Sequence, residues 1–281
     1  MLRQSGRSSK GVKKMNRIER RFKDLAQTGE CALIPFVTAG DPSPEATVQV
    51  VLEMADKGAD IIELGLPFSD PLADGPTIQA ASFRALEQGM NPELYFEMVT
   101  AIRKRTDIPL VLMGYYNPVF KMGLEDFAQK ALKAGIDGTI IPDLPLEEAE
   151  AWRKTARQQG LSNILLVAPN TPSDRIRKIV KASTGFIYYV SVLGITGART
   201  ELPPQLAEGL KKVKEFSSRP VAVGFGISRP EQISGLKDVA DGIIVGSAIV
   251  NMLYKIYQSD GLDAAIEKIG DFVHTLKETT R

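Results

Sequence analysis

Two acidic residues have surroundings that suit proton-transfer chemistry. Glu63 is an ionisable residue inside the apolar run Ile61–Leu64, and Asp74 follows eleven residues later, in a segment rich in proline and glycine. Removing a carboxyl group from water raises its pKa towards neutrality, where the group can both donate and accept protons. We therefore expect Glu63 to be a general acid/base and Asp74 to face the same site from a loop long enough to cover a ligand.

Each carboxylate also has a structural alternative. Glu63 could be a buried glutamate held by a salt bridge, and Asp74 could cap its own turn, a role that suits Asp70 better. The pair could also bind Mg²⁺, which prefers oxygen ligands. No further cluster of carboxylates in the sequence supports a metal, so we expect acid/base catalysis without one.

A tyrosine is the third candidate catalytic residue. Tyr188 and Tyr189 are adjacent in the apolar run Gly185–Val190, and side chains alternate along a strand. One ring must therefore point inwards, where its hydroxyl could donate a hydrogen bond beside Glu63. The following glycine- and proline-rich segment, which contains Thr196, is interpreted as a mobile lid, with an ordinary connecting loop as the alternative.

Glycines after the last two apolar runs, together with Gly197, indicate a phosphate site. Gly226 follows the run Pro220–Val223, and Gly246 and Ser247 follow Gly242–Val245. Such residues let a phosphate approach backbone N–H groups at helix N-termini, although glycines also serve tight turns.

Other apolar runs end in residues that could line the mouth of a site. These are Phe36, Tyr115 and Asp143, and the two aromatic rings suggest a substrate with a flat apolar part. Core packing would explain Phe36 nearly as well.

Several other chemistries lack the residues they need. The single histidine, His274, falls in the last predicted helix, and the single cysteine, Cys31, excludes an internal disulfide and fits a reducing compartment. No apolar run ends in a lysine, which disfavours Schiff-base chemistry. No apolar run reaches the roughly 18–20 residues needed to span a membrane.

The elements that must position these residues form a regular series. Eight short apolar runs, each followed by a segment of helical periodicity, are typical of parallel strands covered on both faces. The runs are Leu33–Val37, Ile61–Leu64, Pro109–Met113, Gly138–Ile141, Asn163–Ala168, Gly185–Val190, Pro220–Val223 and Gly242–Val245. Eight such units predict an α/β fold, a (β/α)₈ TIM barrel, with the active site at the carboxyl ends of the strands; an open doubly wound sheet is the alternative.

Three further helices complete this prediction. Met15–Thr28 would close the bottom of the barrel, Thr77–Gln88 would be an extra helix between the second and third strands, and Gly261–Lys277 would be the closing helix.

Composition and charge describe an ordinary globular chain with an unusual start. The 281 residues are 43% hydrophobic and carry a formal charge of +1, which argues against a nucleic-acid or membrane-surface protein. Residues 1–14 hold five basic groups and no acidic group, so the remaining 30 basic residues face 34 acidic ones, a charge of −4. We interpret residues 1–14 as a disordered basic extension or residual cloning sequence, with a transit peptide as the alternative, and residues 15–281 as one catalytic domain.

The sequence resembles the tryptophan synthase alpha subunit family. The segment IELGLPFSDPLADGPTIQ, from Ile62 to Gln79, closely matches the signature of that family. Further matches are PFVTAGDP from Pro35, PDLP from Pro142, SVLGITG from Ser191, GFGIS from Gly224 and GSA from Gly246. The resemblance runs from about Met15 to the C-terminus, and loop residues Val192 and Leu193 lie where family members vary.

The resemblance implies a lyase that carries out the retro-aldol cleavage of indole-3-glycerol phosphate to indole and glyceraldehyde 3-phosphate. Glu63 matches the residue that exchanges the protons, Asp74 the residue that binds the indole N–H, and Tyr188 the tyrosine beside the glutamate. The resemblance assigns the phosphate to Gly197, Gly226, Gly246 and Ser247, the indole pocket to Phe36 and Tyr115, and a lid contact with Asp74 to Thr196.

The resemblance further implies a cytoplasmic enzyme of tryptophan biosynthesis that works in an α₂β₂ tetramer. The β subunit holds pyridoxal phosphate and receives the indole, whereas the α chain itself holds no cofactor. Contacts with the partner are expected at the Pro67–Asp74 loop and at Asp143–Pro145. Alternatives are a stand-alone indole-releasing lyase, a non-catalytic barrel that supports a β subunit, and a sister phosphate-binding barrel that acts as an isomerase.

Overall fold

Eight parallel strands pair in sequence order and close into a barrel, because β1 pairs with β8 as well as with β2. The computed structural model describes residues 15–191, 204–224, 226–227 and 229–281. The strands are β1 (Ala32–Thr38), β2 (Ile62–Gly65), β3 (Leu110–Met113), β4 (Gly138–Ile140), β5 (Ser162–Val167), β6 (Ile187–Val190), β7 (Val221–Gly224) and β8 (Gly242–Val245). The predicted TIM barrel is confirmed, and the open-sheet alternative is wrong.

The helices surround the barrel and begin and end at recognisable residues. They are α1 (Arg17–Thr28), α2 (Pro44–Asp56), α3 (Pro76–Glu87), α4 (Pro92–Arg103), α5 (Tyr116–Met122), α6 (Leu124–Ala134), α7 (Glu150–Gln159), α8 (Ser173–Ala182), α9 (Pro204–Phe216), α10 (Pro230–Leu236), α11 (Ser247–Asp260) and α12 (Leu262–Thr280). Ser43 and Asn91 cap α2 and α4 by accepting backbone N–H groups, with proline at the first helical position. Gly135 and Gly160 end α6 and α7 in the left-handed conformation.

The three additional helices lie where the sequence predicts them. α1 buries Ile18, Phe22 and Leu25 against the residues inside the barrel, so it closes the bottom. α3 is the extra helix between β2 and β3, and α12 packs against α2 and α11 to complete the ring. In the described parts of the chain, no helix combines the length and apolar character that crossing a bilayer requires.

Strand alternation divides the core into two parts. Along β1, Ala32, Ile34 and Phe36 point into the barrel, whereas Leu33 and Val37 pack against the surrounding helices. The same period of two applies to each strand, because successive side chains leave a strand on opposite faces. It decides which residues of each strand can reach a site at the mouth of the barrel.

Three aspartates hold the bottom of the barrel together. Each lies one or two residues before a strand and accepts the backbone N–H at the start of a neighbouring strand. They are Asp60 before β2, Asp137 before β4 and Asp241 before β8. The acceptor distances are 2.7 Å from Leu33 N, 3.0 Å from Leu110 N and 2.7 Å from Val221 N. Each carboxylate also pairs with a basic side chain, so ionic contacts stabilise the end of the barrel that lies opposite the mouth.

Candidate active site

Glu63 points into the barrel from the carboxyl half of β2. It is paired in register with Phe36 of β1 and Val111 of β3, and only 1% of it is exposed. Its Oε2 has no hydrogen-bond partner, and the residue makes no ion pair, among the described residues. Within the described part of the structure, Glu63 is therefore not the salt-bridged glutamate of the structural alternative.

Burial changes the acidity of Glu63. Loss of hydration, with a smaller contribution from the nearby charge of Asp74, raises its pKa from 4.5 to about 8. The carboxyl group is thus mainly protonated at pH 7 and can give up its proton when a nearby atom becomes basic.

A network at the β2–α3 loop orients Asp74. The Tyr115 hydroxyl donates to Asp74 Oδ2 at 2.9 Å and accepts the Ala73 N–H at 3.0 Å, while Gln79 Nε2 donates to the Asp74 carbonyl at 2.9 Å. Burial raises the pKa of Asp74, and the hydrogen bond from Tyr115 opposes that rise. The Phe68 ring stacks on Tyr115, so both ends of the loop rest on the same aromatic residue.

The two adjacent tyrosines of β6 face opposite sides, as the alternation predicts: Tyr188 points into the barrel and Tyr189 faces the helices. The Tyr188 ring lies over Gly224 of β7, where a Cβ atom would come within 2.8 Å of its Cζ. Burial, followed by the charges of Glu63 and Asp74, raises the Tyr188 pKa well above 10. Tyr188 therefore keeps its proton and can act as a hydrogen-bond donor.

These side chains meet at one cavity of about 240 Å³ at the mouth of the barrel. It is lined by Phe36, Glu63, Asp74, Gly75, Pro76, Thr77, Ile78, Met113, Tyr188, Gly226, Ile244, Gly246 and Ser247. Seven of the residues predicted from the sequence thus share a single cavity. Gly197 and Thr196 lie outside the described residues.

Tyr115 lies beside this cavity. It lines a small adjoining space that shares Phe36, Asp74, Ile78 and Met113 with the main cavity, and its hydroxyl donates to Asp74 Oδ2. Its assignment to the indole pocket stays a prediction.

One end of the cavity can bind an anion. Gly246 is the N-cap of α11 and Ser247 is its first residue, so the first N–H groups of this helix have no partner within it. Gly226 adopts a φ of 81°, in the left-handed region, at the end of β7. No lysine or arginine lies among the described lining residues. In this part of the site, backbone N–H groups and the helix dipole supply the attraction for an anion.

A methyl group at position 246 should block this end of the cavity selectively. We expect Gly246→Ala to weaken binding of phenyl phosphate about tenfold, the effect of losing one charge-assisted hydrogen bond. The added Cβ would make only ordinary contact with Phe36, at 3.5 Å, so the barrel should keep its stability.

Calorimetric titration and thermal unfolding measure these two effects. Gly75→Ala is the matched control, because Gly75 lines the same cavity at the start of α3 and its Cβ would meet no atom within 4 Å. Equal weakening in both variants would contradict a phosphate position at α11.

Sequence reasoning missed several residues of this site. Ile78, Met113 and Ile244 form much of its apolar wall. Alternation along β3 and β8 could have identified Met113 and Ile244 as inward-facing, whereas nothing local places the first turn of α3 over the cavity. The described residues contain no group of three or more His, Cys, Asp or Glu side chains arranged to hold a metal ion.

Comparisons with known proteins agree on one family. A family model described as tryptophan synthase alpha chain matches residues 22–281. A tryptophan synthase alpha chain from Geotalea uraniireducens (strain Rf4) is 48% identical over 263 residues, which cover 94% of this chain and 97% of the relative.

Solved structures show the same likeness. Tryptophan synthase subunit alpha from Legionella pneumophila str. Paris is 38% identical with a TM-score of 0.87, over 95% of this chain and 99% of the other. A chain of the tryptophan synthase complex from Pyrococcus furiosus is 40% identical with a TM-score of 0.79, over 88% and 98% of the two chains.

Proposed function

The chain belongs to the tryptophan synthase alpha chain family, and from this premise we propose that it cleaves indole-3-glycerol phosphate to indole and glyceraldehyde 3-phosphate. The observation that carries the proposal is the buried carboxyl group of Glu63, whose Oε2 has no hydrogen-bond partner among the described residues. It shares with Asp74 a cavity that also reaches the N-terminus of α11. The cavity thus offers a proton donor, a second carboxylate and an anion site to one substrate.

Glu63 would exchange both protons of the reaction. As a neutral acid it gives a proton to indole carbon 3, which leaves a cationic ring and a Glu63 carboxylate. That carboxylate then takes the proton of the adjacent side-chain hydroxyl, the carbon–carbon bond breaks, and its electron pair returns to the ring. Indole and an aldehyde leave, and Glu63 is again protonated, so the cycle needs no further acid or base.

Asp74 and Tyr188 would support the charged intermediate. An Asp74 carboxylate that accepts the indole N–H places negative charge near the cationic ring, and Tyr115 holds that carboxylate in position. Tyr188 keeps its proton and shares the cavity with Glu63, so its hydroxyl can donate to the carboxylate that forms after the first proton transfer.

The cavity also matches the two ends of the substrate. Phe36, Met113 and Ile244 supply an apolar wall for a flat ring, and the ester phosphate would lie against Gly226, Gly246 and Ser247. We assign Gly197 to the phosphate and Thr196 to a lid contact on the family resemblance alone.

The pH dependence of turnover should report on Glu63. Its raised pKa means that the active, protonated form is lost as the pH rises through about 8. We expect kcat/KM for indole release to be level from pH 6 to 7.5 and then to fall about tenfold per pH unit. Activity that stays level to pH 9.5 would contradict Glu63 as the initial proton donor.

We further propose that the chain works with a pyridoxal-phosphate-dependent β subunit in an α₂β₂ tetramer and holds no cofactor itself. The Pyrococcus furiosus relative was solved as a tryptophan synthase complex. Leu72, at the tip of the Pro67–Asp74 loop, is 90% exposed, and Phe120 on α5 is 71% exposed. These apolar residues, with Asp143–Pro145, would contact the partner at the mouth of the barrel, where indole leaves.

An indole assay tests the proposal directly. The purified chain should release indole from indole-3-glycerol phosphate, and added β subunit should stimulate the rate strongly. Equal rates with and without the β subunit would indicate a stand-alone lyase. If no indole is released in either case, the chain is a non-catalytic barrel, and if an isomerised product forms without indole, it is a sister isomerase.

We also propose that residues 15–281 form one catalytic domain and that the enzyme acts in the cytoplasm, where amino-acid biosynthesis supplies its substrate.

A further inference from the structure

A second concave site lies on the outside of the barrel, between α7 and α8. It has a volume of about 700 Å³ and extends from Leu146 to Arg219 along the two helices and the start of β5. We call it the α7–α8 groove. Its lining includes the six cations Arg153, Lys154, Arg157, Lys178, Lys181 and Arg219, but only two acidic residues, Glu147 and Glu150.

This concentration of positive charge runs against the charge of the barrel, because residues 15–281 carry a formal charge of −4. None of the six cations forms an ion pair with a carboxylate in the described part of the chain. Glu147 is occupied by a two-point contact with Arg175, which includes a 2.9 Å bond from Nη2 to Oε2. The groove therefore carries a net positive charge that the described residues do not neutralise.

An unpartnered polar group lies on the floor of the groove. Asn163 lines it at the start of β5 and is only 6% exposed, yet its Nδ2 has no hydrogen-bond partner among the described residues. Buried donors are nearly always paired, because leaving one unpaired costs about 1–3 kcal/mol. The side chain is held at this point of the groove by its backbone, since the Asn163 N–H donates to Thr184 Oγ1 at 2.7 Å.

Helix ends explain only part of the arrangement. α7 and α8 both end beside the groove, and cations near helix C-termini offset the negative end of the dipole. Arg153 Nε and Arg219 Nη1 do this directly by donating to the Ala182 and Val180 carbonyls, at 3.3 and 3.0 Å. These contacts fix two guanidinium groups on the walls. They account neither for the four lysine and arginine side chains that remain nor for the amide on the floor.

We propose that the α7–α8 groove binds a compact small molecule that carries at least two phosphate groups. The groove has the volume and concave shape of a small-molecule site, whereas nucleic acids need an extended basic stripe. Several cations around one concave surface suit a cluster of phosphate oxygens better than one isolated oxygen, and an arginine side chain can contact two such oxygens at once. The site is separate from the cavity at the mouth of the barrel, with which it shares no lining residue.

Inorganic pyrophosphate is the probe for this site. Its binding to the full chain would be measured by calorimetry at constant ionic strength, and hydrogen exchange would locate it. We expect protection at residues 153–163 and 178–184. Protection confined to residues 226–227 and 246–250 would place the probe at the barrel mouth and overturn the proposal.

Paired substitutions separate a site from general charge. Arg157→Gln with Lys181→Gln should weaken pyrophosphate binding about tenfold or more, because two charge-assisted contacts are lost. Lys104→Gln with Lys255→Gln removes the same charge from the C-cap of α4 and from α11 and should leave binding unchanged. Equal weakening in both pairs, or none in the groove pair, would overturn the proposal. Indole release should be unaffected in either pair.

Discussion

Glu63→Gln is expected to lower the rate of indole release by at least about 1000-fold, the loss typical when a general acid/base is removed. Glutamine fills the same volume and keeps a polar end, but it cannot give a proton to carbon 3 and recover one from the hydroxyl. Binding of the substrate should survive, because the phosphate end of the cavity and its apolar wall are unchanged. Single-turnover indole formation and calorimetric binding of a phosphorylated analogue measure the two effects separately.

A matched control keeps this result specific. Glu97 is an exposed glutamate on α4, so Glu97→Gln makes the same chemical change away from the cavity and should turn over normally. If Glu63→Gln retained more than about a tenth of the wild-type rate, proton transfer by Glu63 would be refuted. Loss of both binding and turnover would indicate damage to the cavity rather than to the chemistry.

The same substitution should stabilise the fold at alkaline pH. The folded-state pKa of Glu63 is about 8, against 4.5 for an ordinary glutamate, so ionisation opposes folding increasingly from pH 4.5 to 8 and by a constant amount above that. Glu63→Gln should therefore be more stable than wild type by roughly 5 kcal/mol at pH 9, with the advantage vanishing below pH 4.5. Urea unfolding at pH 4.5, 7 and 9 measures it. A pH-independent difference would argue against a shifted carboxyl group.

Asp60→Ala is expected to cost about 3–5 kcal/mol of folding free energy, as when one partner of a buried ion pair is removed. The Asp60 side chain is fully buried, accepts the Leu33 N–H at 2.7 Å and pairs with Lys277 at 3.1 Å and with Arg21. Its removal would leave the Lys277 ammonium, 4% exposed, with Glu30 as its remaining carboxylate among the described residues.

Asp241→Ala is the graded comparison at the same end of the barrel. Asp241 makes the equivalent contact with β7, but its side chain is 39% exposed, so its loss should cost about 1 kcal/mol. Urea unfolding at pH 7 measures both variants. Similar losses for the two would show that burial does not decide the strength of these contacts.

The barrel could be predicted from the sequence because its evidence is local. Each strand is a short apolar run, each helix has a 3.6-residue period, and the caps at Ser43 and Asn91 are set by neighbouring residues. The position of Glu63 at the mouth follows from the same pattern, since a carboxylate near the end of an apolar strand lies at the active end of such a barrel. The same pattern requires that Tyr188 and Tyr189 face opposite sides of β6, whereas the choice of Tyr188 as the inner ring came from the family resemblance and agrees with the packing in the barrel.

Other features depend on which distant residues the closed barrel brings together. Gly224 enters the sequence analysis only as the first residue of the GFGIS segment, but in the structure its missing side chain makes room for the Tyr188 ring of the neighbouring strand β6. Tyr115 lies 41 residues from Asp74 and supports it from behind, which its place at a strand end does not reveal. The pairing of Asp60 with Lys277 spans 217 residues.

The sequence by itself therefore determined the order of elements, the strand ends that carry the chemistry and the acid/base role expected of Glu63. Periodicity and burial of single residues are properties of short segments, so they can be read without knowing what packs against them. Only the tertiary structure decided the partners of those residues, the shape of the cavity and the cationic groove between α7 and α8. These depend on strand register and on barrel closure, which set distances between atoms that no local pattern specifies.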